Sequence, residues 1–480
     1  MDDRRVSGEE PSREELLALV AAQARVIEAQ AQRIEQLEAL VSELQRRLGQ
    51  NSRNSSKPPS SDGPAKPARR PSPGSGRSPG KQPGAPGANL SRSADPDVVV
   101  DHLPQACRGC GQDLVAAAEA GVMVRQVVDI PQITTSTTEH RMHKRRCTCG
   151  AVTTAATPPE ASAPVVYGPN LRALAVYLLV FQHVPVERTA MLLADVYGAA
   201  VSTGWVCRTL ARASDALADV DKLLKTLLVA AQVLHVDETS TQVAGRRYWL
   251  HVACTPMLTA FHLHASRGRA AVDEFGILPE FAGVCVHDAL SVYDAKAYPK
   301  AVHALCGAHL IRELVAADEA HPAQKWPAQA RDALLALNRA AHRARATGLP
   351  QIPPEIAEFY LTLFTQAVSV GLSLHSRAAG REQSKTRNLL ERLRDRADQV
   401  LRFAHDLAVP FTNNQAERDL RPAKTQLKIS GCHRSTTGAA AWLRVRGYIS
   451  TVRKHGINVM TAIRDAVTGN PWTPQAALQT

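Results

Sequence analysis

The 480-residue sequence has no run of about 18 uninterrupted apolar residues, the length a helix needs to cross a bilayer. A membrane-spanning protein is therefore not expected. Export is not expected either, because the opening MDDRRVSGEE lacks the apolar stretch of a signal peptide. A cytoplasmic location follows, and with it the exclusion of disulfides as the role of the nine cysteines, which read as thiols or metal ligands. Acidic residues are in deficit: 45 Asp and Glu stand against 57 Lys and Arg, a net charge of +12. The deficit is uneven, since residues 51–92 hold eight cations and one Asp. With no membrane expected, such an excess points to nucleic acid as the partner and to association with the nucleoid.

What is present divides the chain. Over 13–49, Val20, Ile27, Ile34, Val41 and Leu48 recur every seven residues, with Leu16, Gln23, Gln30, Leu37 and Leu44 as the second seam. β-Branched residues at the first seam and Leu at the second favour a parallel two-stranded coiled coil, hence a homodimer or higher oligomer. An amphipathic helix packed on its own domain is the alternative. Residues 50–95 are rich in Pro, Ser and Gly and have almost nothing apolar to bury, which predicts a disordered basic linker. It serves either as a spacer or as a cationic arm on DNA.

Residues 96–160 carry two cysteine pairs, Cys107 and Cys110 in CRGCG, and Cys147 and Cys149 in RRCTCG. Four thiolates so paired suit a tetrahedral structural Zn²⁺, and Gly111 and Gly150 suit the tight turn each pair requires. Four unconnected thiols are the alternative. Residues 165–228 turn helical: a helix from Val186, a break at Gly198 and a second helix capped by Ser202. That is the outline of a helix-turn-helix with 202–212 as recognition helix, and equally of an ordinary helical hairpin.

From 229 the pattern becomes strand-like. VLHV ends at Asp237, RRYWLHVAC and LTAFHLHA follow, a short helix intervenes, and GVCVHD ends on Asp288. This order sets the first strand beside the fourth, so that Asp237 and Asp288 converge at adjacent strand ends although 51 residues apart. Two such aspartates are costly unless a cation neutralises them, and hard oxygen ligands of this kind suit Mg²⁺ with substrate phosphates. A third carboxylate completes a two-ion site. Glu417 in FTNNQAERDLRPAK is the candidate: with Asn414 as N-cap it falls at N3, where the plain alternative is a capping box. Capping leaves unexplained why Arg418, Arg421, Lys424, Lys428 and Arg434 crowd the same segment, which a phosphate backbone explains.

Taken together, HVDET, VHDALSVYDA, CGAHLIREL and NNQAERDLRPAK…KISGCHRSTTGA resemble the transposases of the insertion-sequence-66 family, as do the heptads, the linker and the cysteine pairs. The resemblance implies an α/β RNase H-like catalytic core over 229–425 with a helical insertion at about 315–408, and a basic C-terminal segment over 426–480. It implies a catalytic triad at Asp237, Asp288 and Glu417 that uses two Mg²⁺ or Mn²⁺ ions to cut and join double-stranded DNA at element ends and target. It also implies accessory proteins of the same element. Cys306-x-x-His309 resembles a signature after the second aspartate, with either a catalytic or a packing role. The sequence departs from the family where the second cysteine pair is C-x-C and where Ala289-Leu290 follows Asp288 in place of Gly-Tyr, which makes Glu238 and Asp294 decoys to be tested. Two rivals remain, an inert dimeric DNA-binding regulator and an RNase H-like nuclease without strand transfer.

Overall fold

The computed structural model describes residues 12–48, 90–131, 133–294, 296–377, 379–380 and 382–474. The segment read as a basic linker lies outside them except for residues 90–95. The heptad segment is one helix, α1 (Arg13–Leu48), and Val20, Ile27, Ile34, Leu37, Val41 and Leu44 all lie exposed along it. A short antiparallel pair, β1 (Lys144–Arg146) and β2 (Val152–Thr154), follows.

The helical region comprises α2 (Pro169–Val176), which runs into a π-helical turn at Tyr177–Phe181, then α3 (Val186–Tyr197), α4 (Thr203–Ala216) and α5 (Ala218–Val229). Gly198 ends α3 in the left-handed region at φ 65°, and the Ser202 hydroxyl caps α4 by accepting from the Trp205 N–H. Both helix boundaries are those expected from the turn and cap residues. Ala173, Val176, Leu210, Leu224 and Leu228 are buried in one continuous core with Leu234, Leu250 and Val252 of the sheet, so this region is packed onto the sheet and is not a free module.

The sheet has five strands: β3 (Val233–Val243), β4 (Arg246–Cys254), β5 (Thr259–His264), β6 (Val284–His287) and β7 (Val302–Leu305), with α6 (Arg269–Phe275) between β5 and β6. Their order is β5-β4-β3-β6-β7. β3, β4 and β5 form antiparallel hairpins, whereas β6 and β7 run parallel to β3. The first hairpin closes at Ala244 and Gly245, both at positive φ, as a tight two-residue turn matched to strand twist demands. The expected adjacency of β3 and β6 is present. Its detail differs: Asp237 is not at the end of β3 but in its middle, because β3 continues to Val243 along β4 after its pairing with β6 stops at His235.

After β7 the chain is helical: α7 (Gly307–Ala320), α8 (Trp326–Ala346), α9 (Pro354–Leu374), α10 (Lys385–Asp395) and the single turns α11 (Ala397–Val400) and α12 (Arg402–His405). They bury a second core in which Leu334, Leu337, Leu390 and Leu393 meet Val286 and Leu305 of the sheet. Helix α9 is the one described helix long and apolar enough to span a membrane, and it shares this second core through Phe364, Ala367 and Val368. Helix α13 (Asn414–Ser430) then returns to the sheet, followed by α14 (Thr436–Lys454) and α15 (Val459–Val467). The stretch read as a basic C-terminal segment is thus largely core: Trp442, Val445, Tyr448, Ile449 and Val452 of α14 are buried.

Candidate active site

Side chains alternate across a strand, so Asp237 and Glu238 leave β3 on opposite faces. Glu238 is buried and fully engaged: Arg267 donates to Oε1 from Nε at 2.9 Å and Nη2 at 2.6 Å, and the Tyr293 hydroxyl donates to Oε2 at 2.7 Å. Burial raises its carboxyl and Asp288 raises it further, against the Tyr293 and Arg267 bonds. A carboxylate held by three donors has little left for a ligand. Asp294, the other decoy, accepts from the Lys296 N–H at 3.1 Å within its own turn.

Among the described residues, Asp237 accepts only the N–H of Glu238, at 2.9 Å. Its carboxyl is held well above the usual range, first by burial, then by the nearby charges of Glu238, Asp288 and Glu417. Asp288 follows the last residue of β6, where the sheet opens because β3 and β6 no longer pair, and its Oδ1 accepts from the Leu290 N–H at 3.0 Å. The fold therefore brings Asp237, Asp288 and Glu417 within electrostatic reach of one another.

Glu417 arrives there through one buried residue. The N-cap of α13 is Asn413 and not Asn414, which moves Glu417 past N3, and no side chain caps this helix end. The capping-box explanation of Glu417 therefore does not hold. The Asn413 side chain is used elsewhere. Its Nδ2 donates to the Val236 carbonyl at 2.8 Å, which fixes Oδ1 as the acceptor of the His235 Nδ1–H at 2.9 Å. Its backbone N–H donates to Cys306 Sγ at 3.1 Å. One residue thus joins the strand position before Asp237, the β7–α7 corner and the helix that carries Glu417. Gly307 at that corner donates its N–H to the Phe411 carbonyl at 2.8 Å, and any side chain there would collide with the Phe411 ring. Nothing in the local sequence distinguished Asn413 from Asn414; only the three-way contact does.

The Cys306 and His309 pair divides in role. Cys306 is buried, its thiol pushed up by burial, and it is a structural acceptor. His309 lies within reach of Asp288 and Glu417, its imidazole lowered by burial and then by Arg312, and its Nδ1 is buried without a hydrogen-bond partner. Arg312 Nη2 is 3.9 Å from Glu417 Oε1.

The cations of 418–454 fall into two groups. Arg418, Arg421, Lys428 and Arg434 are exposed and Lys424 is half-buried. Glu417, Arg421, Lys424 and Lys428 share one stripe of α13 by helical spacing. Of the others, Arg444, Arg446 and Lys454 serve the interior, whereas Arg453 is exposed. Lys454 Nζ donates to Asp419 Oδ2 at 2.6 Å and to three oxygens of residues 255–259, Arg444 bonds Ser214, and Arg446 and Arg453 lie over the Phe181 ring. Asp419 and Lys454, with Thr259 donating to the same Oδ2 at 2.9 Å, fasten α13 and α14 to β5.

The cysteine pairs form two exposed knuckles. The Cys107 and Cys147 carbonyls accept from the N–H of Gly111 (2.8 Å) and Gly150 (2.9 Å), with both glycines at positive φ. Both leading thiols are lowered, Cys107 chiefly by the backbone N–H of Gly109 and Cys147 by that of Cys149, the setting a thiolate ligand needs. Among the described residues no three His, Cys, Asp or Glu side chains are gathered into a ready metal group, so neither the two knuckles nor the three acids stand closed about a single point. Helices α3 and α4 keep the helix-turn-helix outline, with Arg208 and Arg212 exposed on α4.

Comparison with known families gives three matches. The family described as "Transposase IS66 family" matches residues 164–441, which include Asp237, Asp288 and Glu417. The "zinc-finger binding domain of transposase IS66" matches 104–150, which include all four paired cysteines. A family of unknown function matches 8–91. No curated protein matches the chain.

Proposed function

The chain belongs to the IS66 transposase family and carries its zinc-finger domain, which makes it a DNA-binding protein. From that premise we propose that it cuts and joins DNA in a metal-dependent RNase H-like core through Asp237, Asp288 and Glu417. The observation that carries the reading is the triple attachment of Asn413, which sets the helix of Glu417 against the strand of Asp237 at the point where β6 releases Asp288. Three carboxylates facing one another raise the charge cost that Asp237 already registers, and divalent cations remove it. Asp237, Asp288 and Glu417 would hold Mg²⁺ or Mn²⁺, which would supply Lewis-acid stabilisation to an in-line displacement.

The chain's own residues do the rest. Water attacks the phosphorus at the element end; the P–O3′ bond breaks, leaving a 3′-hydroxyl on the element and a 5′-phosphate on the flank. That hydroxyl then attacks a target phosphodiester, and the bond to the target's own 3′-oxygen breaks. Arg418, Arg421, Lys424, Lys428 and Arg434 hold phosphates along the exposed side of α13 and its following loop without reading bases. The cysteine knuckles and the exposed face of α4 are the candidates for reading element ends. Zn²⁺ held by Cys107, Cys110, Cys147 and Cys149 would supply the folding energy that this small region lacks. The exposed apolar stripe of α1 is covered by a second copy of α1, which places two active sites on two ends. Accessory proteins of the same element complete the assembly.

Glu417→Gln tests the assignment, because it keeps the shape and removes the charge. Cleavage of element-end DNA should fall to background while circular dichroism and DNA affinity stay those of the wild type. Undiminished cutting would sink the triad.

A further inference from the structure

The ladder between β3 and β6 ends at His235 and Val286, two residues short of Asp237 and of Asp288. Backbone pairing alone therefore does not set the separation of the two aspartates. Glu238, whose carboxylate is filled by three donors, supplies the missing link. Its backbone is continuous with that of Asp237 in β3, and its side chain meets the turn that follows Asp288.

From Asp288 to Glu238 the hydrogen bonds run without a gap. Asp288 Oδ1 accepts from the Leu290 N–H at 3.0 Å, the Leu290 carbonyl accepts from the Tyr293 N–H at 3.1 Å, and the Tyr293 hydroxyl donates to Glu238 Oε2 at 2.7 Å. Arg267 grips the other carboxylate oxygen from Nε and Nη2, and its guanidinium lies over the Trp249 ring of β4, 4.9 Å from the centroid. The grip is thus anchored to the sheet. The residue before Asp288 is held as well: the His287 carbonyl accepts from the Cys306 N–H at 2.8 Å, and its ring packs against Tyr293 with centroids 5.6 Å apart.

A buried phenol needs a polar partner, but a backbone carbonyl would do. A buried carboxylate that needs a guanidinium beside it is a costlier partner. What it adds is a connection between the strand of Asp237 and the turn of Asp288. From this path we infer that Glu238, with Tyr293 and Arg267, is a positioning residue of the acidic site, which sets the spacing of Asp237 and Asp288 for a divalent cation. The inference rests on the proposed triad and adds to it a residue that touches neither ion nor substrate.

The test is Mn²⁺ binding to the full chain, its cysteine knuckles already loaded with Zn²⁺, followed by the electron paramagnetic resonance signal of the free ion. Tyr293→Phe keeps the ring and the charge and removes only the hydroxyl. Arg267→Lys keeps the charge and loses the two-point grip. Charge alone predicts no change in either variant, and a purely structural role would lower the melting temperature without moving Mn²⁺ affinity. Tyr293→Phe should weaken Mn²⁺ binding about tenfold or more, the usual cost of losing a group that orients a ligand, and Arg267→Lys should weaken it in the same direction. Asp288→Asn should remove the binding. Mn²⁺ binding that is absent from the wild type, or unchanged in Asp288→Asn, overturns the triad and this inference with it. Binding that is lost in Asp288→Asn but unchanged in Tyr293→Phe and Arg267→Lys overturns the inference alone. Where Tyr293→Phe does not fold, Arg267→Lys decides, because that side chain is 44 % exposed.

Discussion

Around Asp237, Asp288 and Glu417 the fold does the positioning. Strand register, the Gly307 corner and the Asn413 bridge bring the acids together through protein contacts. Around Cys107, Cys110, Cys147 and Cys149 the reverse holds: both knuckles lie on exposed chain, β1 and β2 are exposed throughout, and Val122, Met123, Val127, Val128 and Ile130 face solvent. One region is built on a buried core; the other is largely exposed, and on the proposed reading it depends on its ion for order. The difference follows from size, since a segment this short cannot bury enough apolar surface to offset its chain entropy.

Chelation breaks the comparison most sharply if it is wrong. Removing Zn²⁺ should abolish hydrogen-exchange protection at the amides of Cys107, Gly111, Cys147 and Gly150, all hydrogen-bonded in the knuckles, and leave β3 and β6 protected. Equal loss in both regions would mean that the core also needs an ion to fold.

The next effect belongs to Asn413. Asn413→Ala strands the Val236 carbonyl and the His235 N–H, at about 1–3 kcal/mol for each buried group left unpaired. It should lower the melting temperature and depress the rate of DNA cleavage while DNA affinity stays within error. A variant of wild-type stability and rate would show that the bridge does not position Glu417.

The smallest effect concerns pH. Asp237 is raised in the folded protein by burial first and by its acidic neighbours next. Its contribution to stability is therefore fully present below the ordinary aspartate value of about 3.9 and is lost as pH rises through the raised folded value. In metal-free protein, Asp237→Asn should then raise the calorimetric melting temperature near neutral pH by a few degrees, about 2–4 °C for each kcal/mol, with the gain fading toward pH 4. A gain that persists in acid would have another origin.

Much of this was legible in the sequence because it rests on local pattern. The strands at 246–254 and 284–287, the Ser202 cap, the Gly198 break and the adjacency of β3 and β6 followed from apolar runs and turn residues. Three features were not legible, each because a distant partner decides it. Asp237 sits mid-strand because β4 extends β3 beyond its pairing with β6. Asn413 outcompetes Asn414 for the helix start because its side chain has buried partners on β3. Lys454 and Arg446 look like DNA-facing cations until Asp419 and Phe181 are found beside them.

The most direct measurement is strand transfer from a pre-cut oligonucleotide carrying the element end, with Mg²⁺ or Mn²⁺, the full chain and any partner proteins of the element. Wild type and Asp288→Asn are compared at equal DNA occupancy. Joined product from the wild type and none from Asp288→Asn is the predicted result. Joined product from both would contradict the account.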